Sequence, residues 1–228
     1  MMALSPQDLQ AILLSVKVAS VATVLSAPFG FATAYLLAFG RLPGKTILEG
    51  IVNLPLVLPP VVVGYLLLLL FGRNGAFGPL LAQLHLRIVF TLTGAVVASA
   101  VVGFPLLVRA IRIGLEGIDA HCLQAARTLG ASRWDTLCTV VLPLAAPALL
   151  AGMTLMFARS LGELGATVVL AGNIPGITQT IPLAIYDYTA TPGGGRPALA
   201  LCLVSMALSF VALLAGEAAT RFFRTRRS

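Results

Sequence analysis

Long apolar runs separated by short charged intervals set the pattern of this chain. A helix needs about 20 mostly apolar residues to cross a bilayer. Uncharged runs of that size are 18–40, 50–72, 88–108, 136–158, 164–186 and 197–216. The fifth is unlike the others. It contains Gly165, Gly172, Pro175, Gly176 and Pro182, with Asn173, Thr178, Gln179 and Thr180 at its centre. Glycine and proline at that density break a helix, and irregular backbone at membrane depth needs protein or water around it. One long polar interval, 116–147, has a different period. Between Asp119 and Leu129 there is no glycine or proline, and Cys122, Leu123, Ala126 and Leu129 recur at helical spacing. This predicts a short amphipathic helix with Asp119 as N-cap and Gly130 as C-cap. Ser132, with Asp135 three residues on, predicts a second short helix, which Trp134 and Leu137 can anchor at the membrane interface.

Composition turns these runs into membrane spans. Only 10% of residues are charged, 58% are hydrophobic, and mean hydropathy is +0.99. Soluble domains carry about 25% charged residues, so the chain reads as all-α and polytopic, with no stretch polar enough for a soluble domain. The net charge of +7 speaks of orientation, not of nucleic acid, because in membrane proteins the distribution of Lys and Arg matters most. Arg41 and Lys45, then Arg109, Arg112, Arg127 and Arg133, then Arg221, Arg224, Arg226 and Arg227 form three basic groups. The positive-inside bias puts all three in the cytoplasm. An even number of crossings must then separate the second group from the third. The run 164–186 therefore does not cross alone. The expected spans are about 10–40, 47–72, 88–113, 136–171 and 197–221, with the N-terminus outside, the C-terminus cytoplasmic and 172–195 an external, partly re-entrant loop. A six-span chain would put the arginine-rich tail on the other side. No basic residue precedes Lys17, a poor start for a signal peptide, so the first apolar segment reads as a retained helix.

Candidate chemistry is sparse. Gly44-Lys45-Thr46 ends like a phosphate loop, but Phe39 stands where the first glycine should be, and a membrane helix precedes it. His85 and His121 fall on opposite sides of the membrane. Cys122, Cys138 and Cys202 have no ligand spacing and read as reduced thiols. No catalytic constellation, metal site or cofactor is expected. Rows of small residues, Ala22, Ser26, Gly30, Ala34 and Ala95, Ser99, Gly103, allow close helix approach, within the chain or at a dimer seam. Pro55, Pro59 and Pro60 imply a kink that lines a pathway or bends around neighbours. Arg159 and Glu163 share a helix face at i,i+4. They either shape the route of an anion or form a structural ion pair. Lys17 is either a snorkelling anchor or an anion-attracting group.

The spacing Gln124-Ala125-Ala126-x3-Gly130-x9-Val140-x-Leu142-Pro143 resembles the EAA signature, EAA-x3-G-x9-I-x-LP, of membrane subunits of binding-protein-dependent ABC importers. Gln124 replaces the family's glutamate, removing a charge but keeping a hydrogen-bonding side chain. Val140 replaces isoleucine. The stretch 42–60 is similar to the molybdate type. Phe157–Thr167 is similar to the sulfate and molybdate branch in general. Residues 173–186, followed by Thr191-Pro192-Gly193-Gly194, are similar to the molybdate type. The resemblance implies one permease domain over 1–228 and a coupling segment at 116–135, with Leu129 also on its docking face. It further implies two ATP-binding subunits, an external periplasmic or lipid-anchored oxyanion-binding protein and a second copy of the chain. The cargo implied is molybdate, with tungstate beside it and sulfate or thiosulfate as the alternative.

Overall fold

The computed structural model describes residues 4–40 and 43–225. Arg41, Leu42, Arg226 and Arg227, which entered the expectations above, lie outside the described residues, as does the side chain of Arg224. All regular elements among the described residues are helical. Helix α1, Pro6–Phe39, starts at a reciprocal cap that the apolar pattern did not announce. Ser5 Oγ accepts from Asp8 N, and the Asp8 carboxylate accepts from Ser5 N. Helices α2, Lys45–Val57, and α3, Pro60–Phe71, follow, then short α4, Gly78–Gln83, and long α5, Leu92–Glu116. Next come α6, Ala120–Thr128, and α7, Arg133–Thr136. A π-helical turn over Leu137–Val141 joins α7 to α8, Leu142–Leu161. Short α9, Gly165–Leu170, and α10, Ile181–Ala190, precede α11, Gly195–Thr225.

The core lies between α1, α5 and the run from the π turn into α8. Leu37, Leu107, Ile111, Leu115 and Met156 are its largest fully buried members. Small residues make this closeness feasible. A Cβ added to Gly30 would stand 2.6 Å from Leu107 Cδ2, and Ala22, Ser26 and Ala34 are buried beside it. The rows of small side chains thus serve packing within the chain. Gly64 on α3 does the same against α9, where an added Cβ would stand 2.8 Å from the Ala166 backbone.

Four helices, Pro6–Phe39, Leu92–Glu116, Arg133–Leu161 and Gly195–Phe223, are each long and apolar enough to cross a membrane. The expected span 47–72 is not one helix. It breaks between α2 and α3 with a bend of 115°, far sharper than a proline kink. The cause is two successive prolines. A residue before proline is driven out of the helical region, and both Leu58 (ψ 143°) and Pro59 (ψ 135°) are extended. The fifth crossing, if counted, is this broken pair. The expected span 136–171 also ends early, at Leu161. Gly162–Leu164 interrupt it, and α9 is a separate helix. The loop expected over 172–195 contains α10, whose start carries Pro182 in the first turn, a position proline favours.

Candidate functional site

The polar segment between α5 and α8 folds as two capped helices. Asp119 accepts from His121 N at 2.8 Å, and Ser132 Oγ accepts from Asp135 N at 3.1 Å. The end of α6 is a full Schellman motif: Ala131 N donates to Ala126 O, and Gly130 N donates to Arg127 O. That geometry puts Gly130 at φ +84°. Nothing lies within 4 Å of the position a Cβ would take, so backbone conformation alone requires glycine there.

The helix has two faces. Leu123 packs against the core cluster, and Ala126 is half-buried. Gln124, Ala125 and Cys122 are exposed, and Leu129 is 87% exposed. Trp134 is 77% exposed on α7. The apolar face expected from the sequence is therefore split. Leu123 and Ala126 turn inward, while Leu129 and Cys122 turn outward. Val140 and Pro143 are half-buried and Leu142 is exposed. Val140 sits on the π turn, and Leu142 and Pro143 open α8 directly after it, where Leu142 N reaches back five residues to Leu137 O. Proline clashes with the carbonyl four residues before it, and the wider turn ahead of Pro143 relieves that clash. Val141 on the same turn is core. Gln124–Gly130 thus lies on and just past the capped helix α6, and Val140–Pro143 on the run from the π turn into α8, with α6 packed on that turn.

A second cluster stands at the mouth of this segment. Arg112 on α5 reaches Glu49 of α2 at 2.6 Å and Glu116 at 2.7 Å. The i,i+4 half of it was legible in the sequence. Glu49 was not, because only tertiary folding brings α2 there.

Polar groups gather where α8 breaks, at the end of a candidate membrane span. Arg159 Nη1 lies 2.7 Å from Glu163 Oε2, an ion pair by charge and distance without hydrogen-bond alignment. Glu163 Oε1 accepts from Ala166 N at 2.8 Å and so caps α9. The Glu163 side chain is 2% exposed, whereas the Arg159 side chain, 31% exposed, reaches a surface. The hydroxyls of Ser160 and Thr167 are buried nearby in sequence without a protein hydrogen-bond partner.

The stretch 173–188 bonds partly to itself and partly to α1. Asp187 accepts from Asn173 Nδ2 at 2.8 Å and Gln179 Nε2 at 2.7 Å. Tyr188 donates to Asp8 at 2.9 Å, and Ile181 N donates to Ser15 Oγ at 2.7 Å. These bonds fasten the segment to α1. Among the described residues no group of three His, Cys, Asp or Glu side chains could hold a metal. Cys122, Cys138 and Cys202 are free thiols.

The site is an exposed, capped helix packed on a bundle of apolar helices. The whole fold superposes on a chain of a bacterial ABC transporter involved in the import of the acidic polysaccharide alginate with TM-score 0.75, at 17% identity, covering 95% of this chain and 80% of that one. The chain belongs to the family of binding-protein-dependent transport system inner membrane components, whose profile matches residues 26–224. It is 50% identical over 226 residues, 99% of each chain, to the molybdenum transport system permease protein ModB of Escherichia coli K12. To the sulfate transport system permease protein CysT of the same strain it is 38% identical, over 88% of this chain and 74% of that one. The chain is thus a multi-pass membrane component. It works with a binding protein and with a separate subunit that hydrolyses ATP.

Proposed function

We infer that this chain forms the translocation pathway of an importer for molybdate, with tungstate as a second cargo. The observation that carries this reading is its full-length similarity to the molybdenum permease. Two copies pair in the membrane. Each seats α6 in a cleft of an ATP-binding subunit, through Gln124, Ala125, Ala126, Leu129 and Gly130. The N-terminus is outside and the C-terminus cytoplasmic, as the basic groups favour. An external binding protein releases its oxyanion into the cavity between the copies. ATP closes the two ATP-binding subunits and draws the α6 helices together. The unbroken run from Arg133 to Leu161 carries that movement into the membrane, as does the packing of Leu123 on the core. Coupling of this kind is a free-energy link between distant sites.

The similarity to a sulfate permease supports a second reading, transport of sulfate or thiosulfate. Uptake of labelled molybdate and labelled sulfate separates the two, in cells lacking their own systems for both and supplied with this chain, its ATP-binding subunit and its binding protein. Molybdate uptake, competed by tungstate and hardly by sulfate, is the expected result. Preferential sulfate uptake would overturn the cargo assignment.

A further inference from the structure

The connection from α3 to α5, residues 72–91, holds basic side chains outside the site described above. Arg73, His85 and Arg87 line one cavity of about 640 Å³ together with Phe71, Leu81 and Leu86. No acidic side chain lines it. Among the described residues neither arginine forms an ion pair. By contrast Asp8, Asp187 and Glu163 are engaged elsewhere: Asp8 with Ser5 and Tyr188, Asp187 with two amides, Glu163 with Arg159.

The same connection exposes Phe77, Leu80, Leu84 and Phe90, each 45–58% accessible. It is nevertheless a fixed element. Phe71 and Phe77 stack with centroids 5.7 Å apart, Phe77 N donates to Leu70 O, and Phe90 N donates to Leu170 O of α9. His85 (φ 53°) and Phe90 (φ 57°) are the two non-glycine residues with left-handed backbone among those described. That conformation costs about 1–2 kcal/mol per residue and persists where the surroundings demand it. A rigid, amphipathic element with uncompensated cations thus sits at the ends of two membrane helices, where headgroups meet acyl chains.

We propose that this cavity binds the phosphodiester headgroup of an anionic phospholipid. Arg73 and Arg87 hold the phosphate, and the exposed apolar side chains lie against the acyl chains. Guanidinium groups suit phosphate because their donors match its oxygens pairwise. The cavity's own lining is largely apolar, with Phe71, Leu81, Leu86, Ile88 and Val89, and the same connection exposes four further apolar side chains; a lipid can use both, a small hydrated oxyanion neither. The leaflet is the outer one, which rests on the orientation given under Proposed function.

The test uses the full chain, delipidated in neutral detergent, with its thermal transition followed as phosphatidylglycerol or phosphatidylcholine is added at equal mole fraction. Phosphatidylglycerol is expected to raise the transition to saturation and phosphatidylcholine to leave it unchanged. The shift is expected to vanish in Arg73→Gln/Arg87→Gln and to persist in Arg196→Gln. Native mass spectrometry of the wild type, expected to retain phosphatidylglycerol over phosphatidylcholine, reads the same preference without any variant. Equal shifts with both lipids, or a shift that survives in the double variant, would overturn the proposal. So would a shift produced by free glycerol 3-phosphate or by molybdate, which would mark a free-oxyanion site. Leaflet and site separate by labelling Ala76→Cys, in a chain whose native cysteines are serine, with a membrane-impermeant maleimide. Labelling from the cytoplasmic side only would overturn the orientation and leave the headgroup site standing.

Discussion

Leu129→Glu is expected to release the ATP-binding subunit while leaving the membrane chain folded. Leu129 closes α6 and is almost fully exposed, so the substitution removes no internal contact. A single exposed leucine is unremarkable. Its place is not, because it ends the one amphipathic helix in the polar segment, with exposed Trp134 five residues beyond. Burying a leucine in a partner's cleft is worth roughly 1.5–3 kcal/mol, and a buried unpaired carboxylate adds a further penalty. At 1.4 kcal/mol per tenfold, docking should weaken by roughly ten- to several-hundredfold. Copurification of the two subunits measures the loss, and the thermal transition of the chain alone measures its fold. Undiminished retention of the ATP-binding subunit would remove Leu129 from the docking face.

Glu163→Ala is expected to destabilise the chain itself. It strips Arg159 of its counter-charge and leaves Ala166 N without the acceptor that caps α9. Breaking a buried pair by removing one partner costs about 3–5 kcal/mol, and the partial exposure of Arg159 argues for the lower end. Glu163→Gln keeps an acceptor for Ala166 N and should fall between the alanine variant and the wild type. Replacing both members, Arg159→Met with Glu163→Met, removes the isolated charge and should recover much of the lost stability, since apolar substitutes for buried pairs are often neutral. Thermal unfolding in detergent ranks the variants. A double variant no more stable than Glu163→Ala would contradict a structural ion pair. A stable double variant unable to transport would place Arg159 on the anion's route.

Much of the local structure of the 119–143 segment was readable before folding. Asp119, Gly130 and Ser132 are local signals, and caps act within one turn, so sequence suffices to find them. The same is true of the spacing from Gln124 to Pro143. What lay beyond reach depends on tertiary contact. The sequence assigned Leu123 and Leu129 to one apolar face, yet the first packs on the core and the second faces outward; periodicity cannot say where the neighbouring bundle stands. The break at Leu58–Pro59 was legible as a kink from its prolines, but its depth follows from two pre-proline restrictions in succession. The end of α8 at Leu161 was missed because Leu164–Ala171 is apolar and reads as more of the same helix. The Gly162 cap, the capping carboxylate of Glu163 and the close approaches of Gly64 to Ala166 and of Gly165 to Pro60 set α9 apart. Helix α10 hid behind glycine and proline density, although Pro182 at a helix start was a usable signal. Glu49 met Arg112 across a sequence distance that no local pattern spans.

The most direct measurement is molybdate accumulation in proteoliposomes holding this chain and its ATP-binding subunit, with loaded binding protein on the face opposite ATP. The expected result is accumulation that requires ATP and the binding protein and is lost with Leu129→Glu. Accumulation without the ATP-binding subunit, or none with every component present, would contradict the assignment.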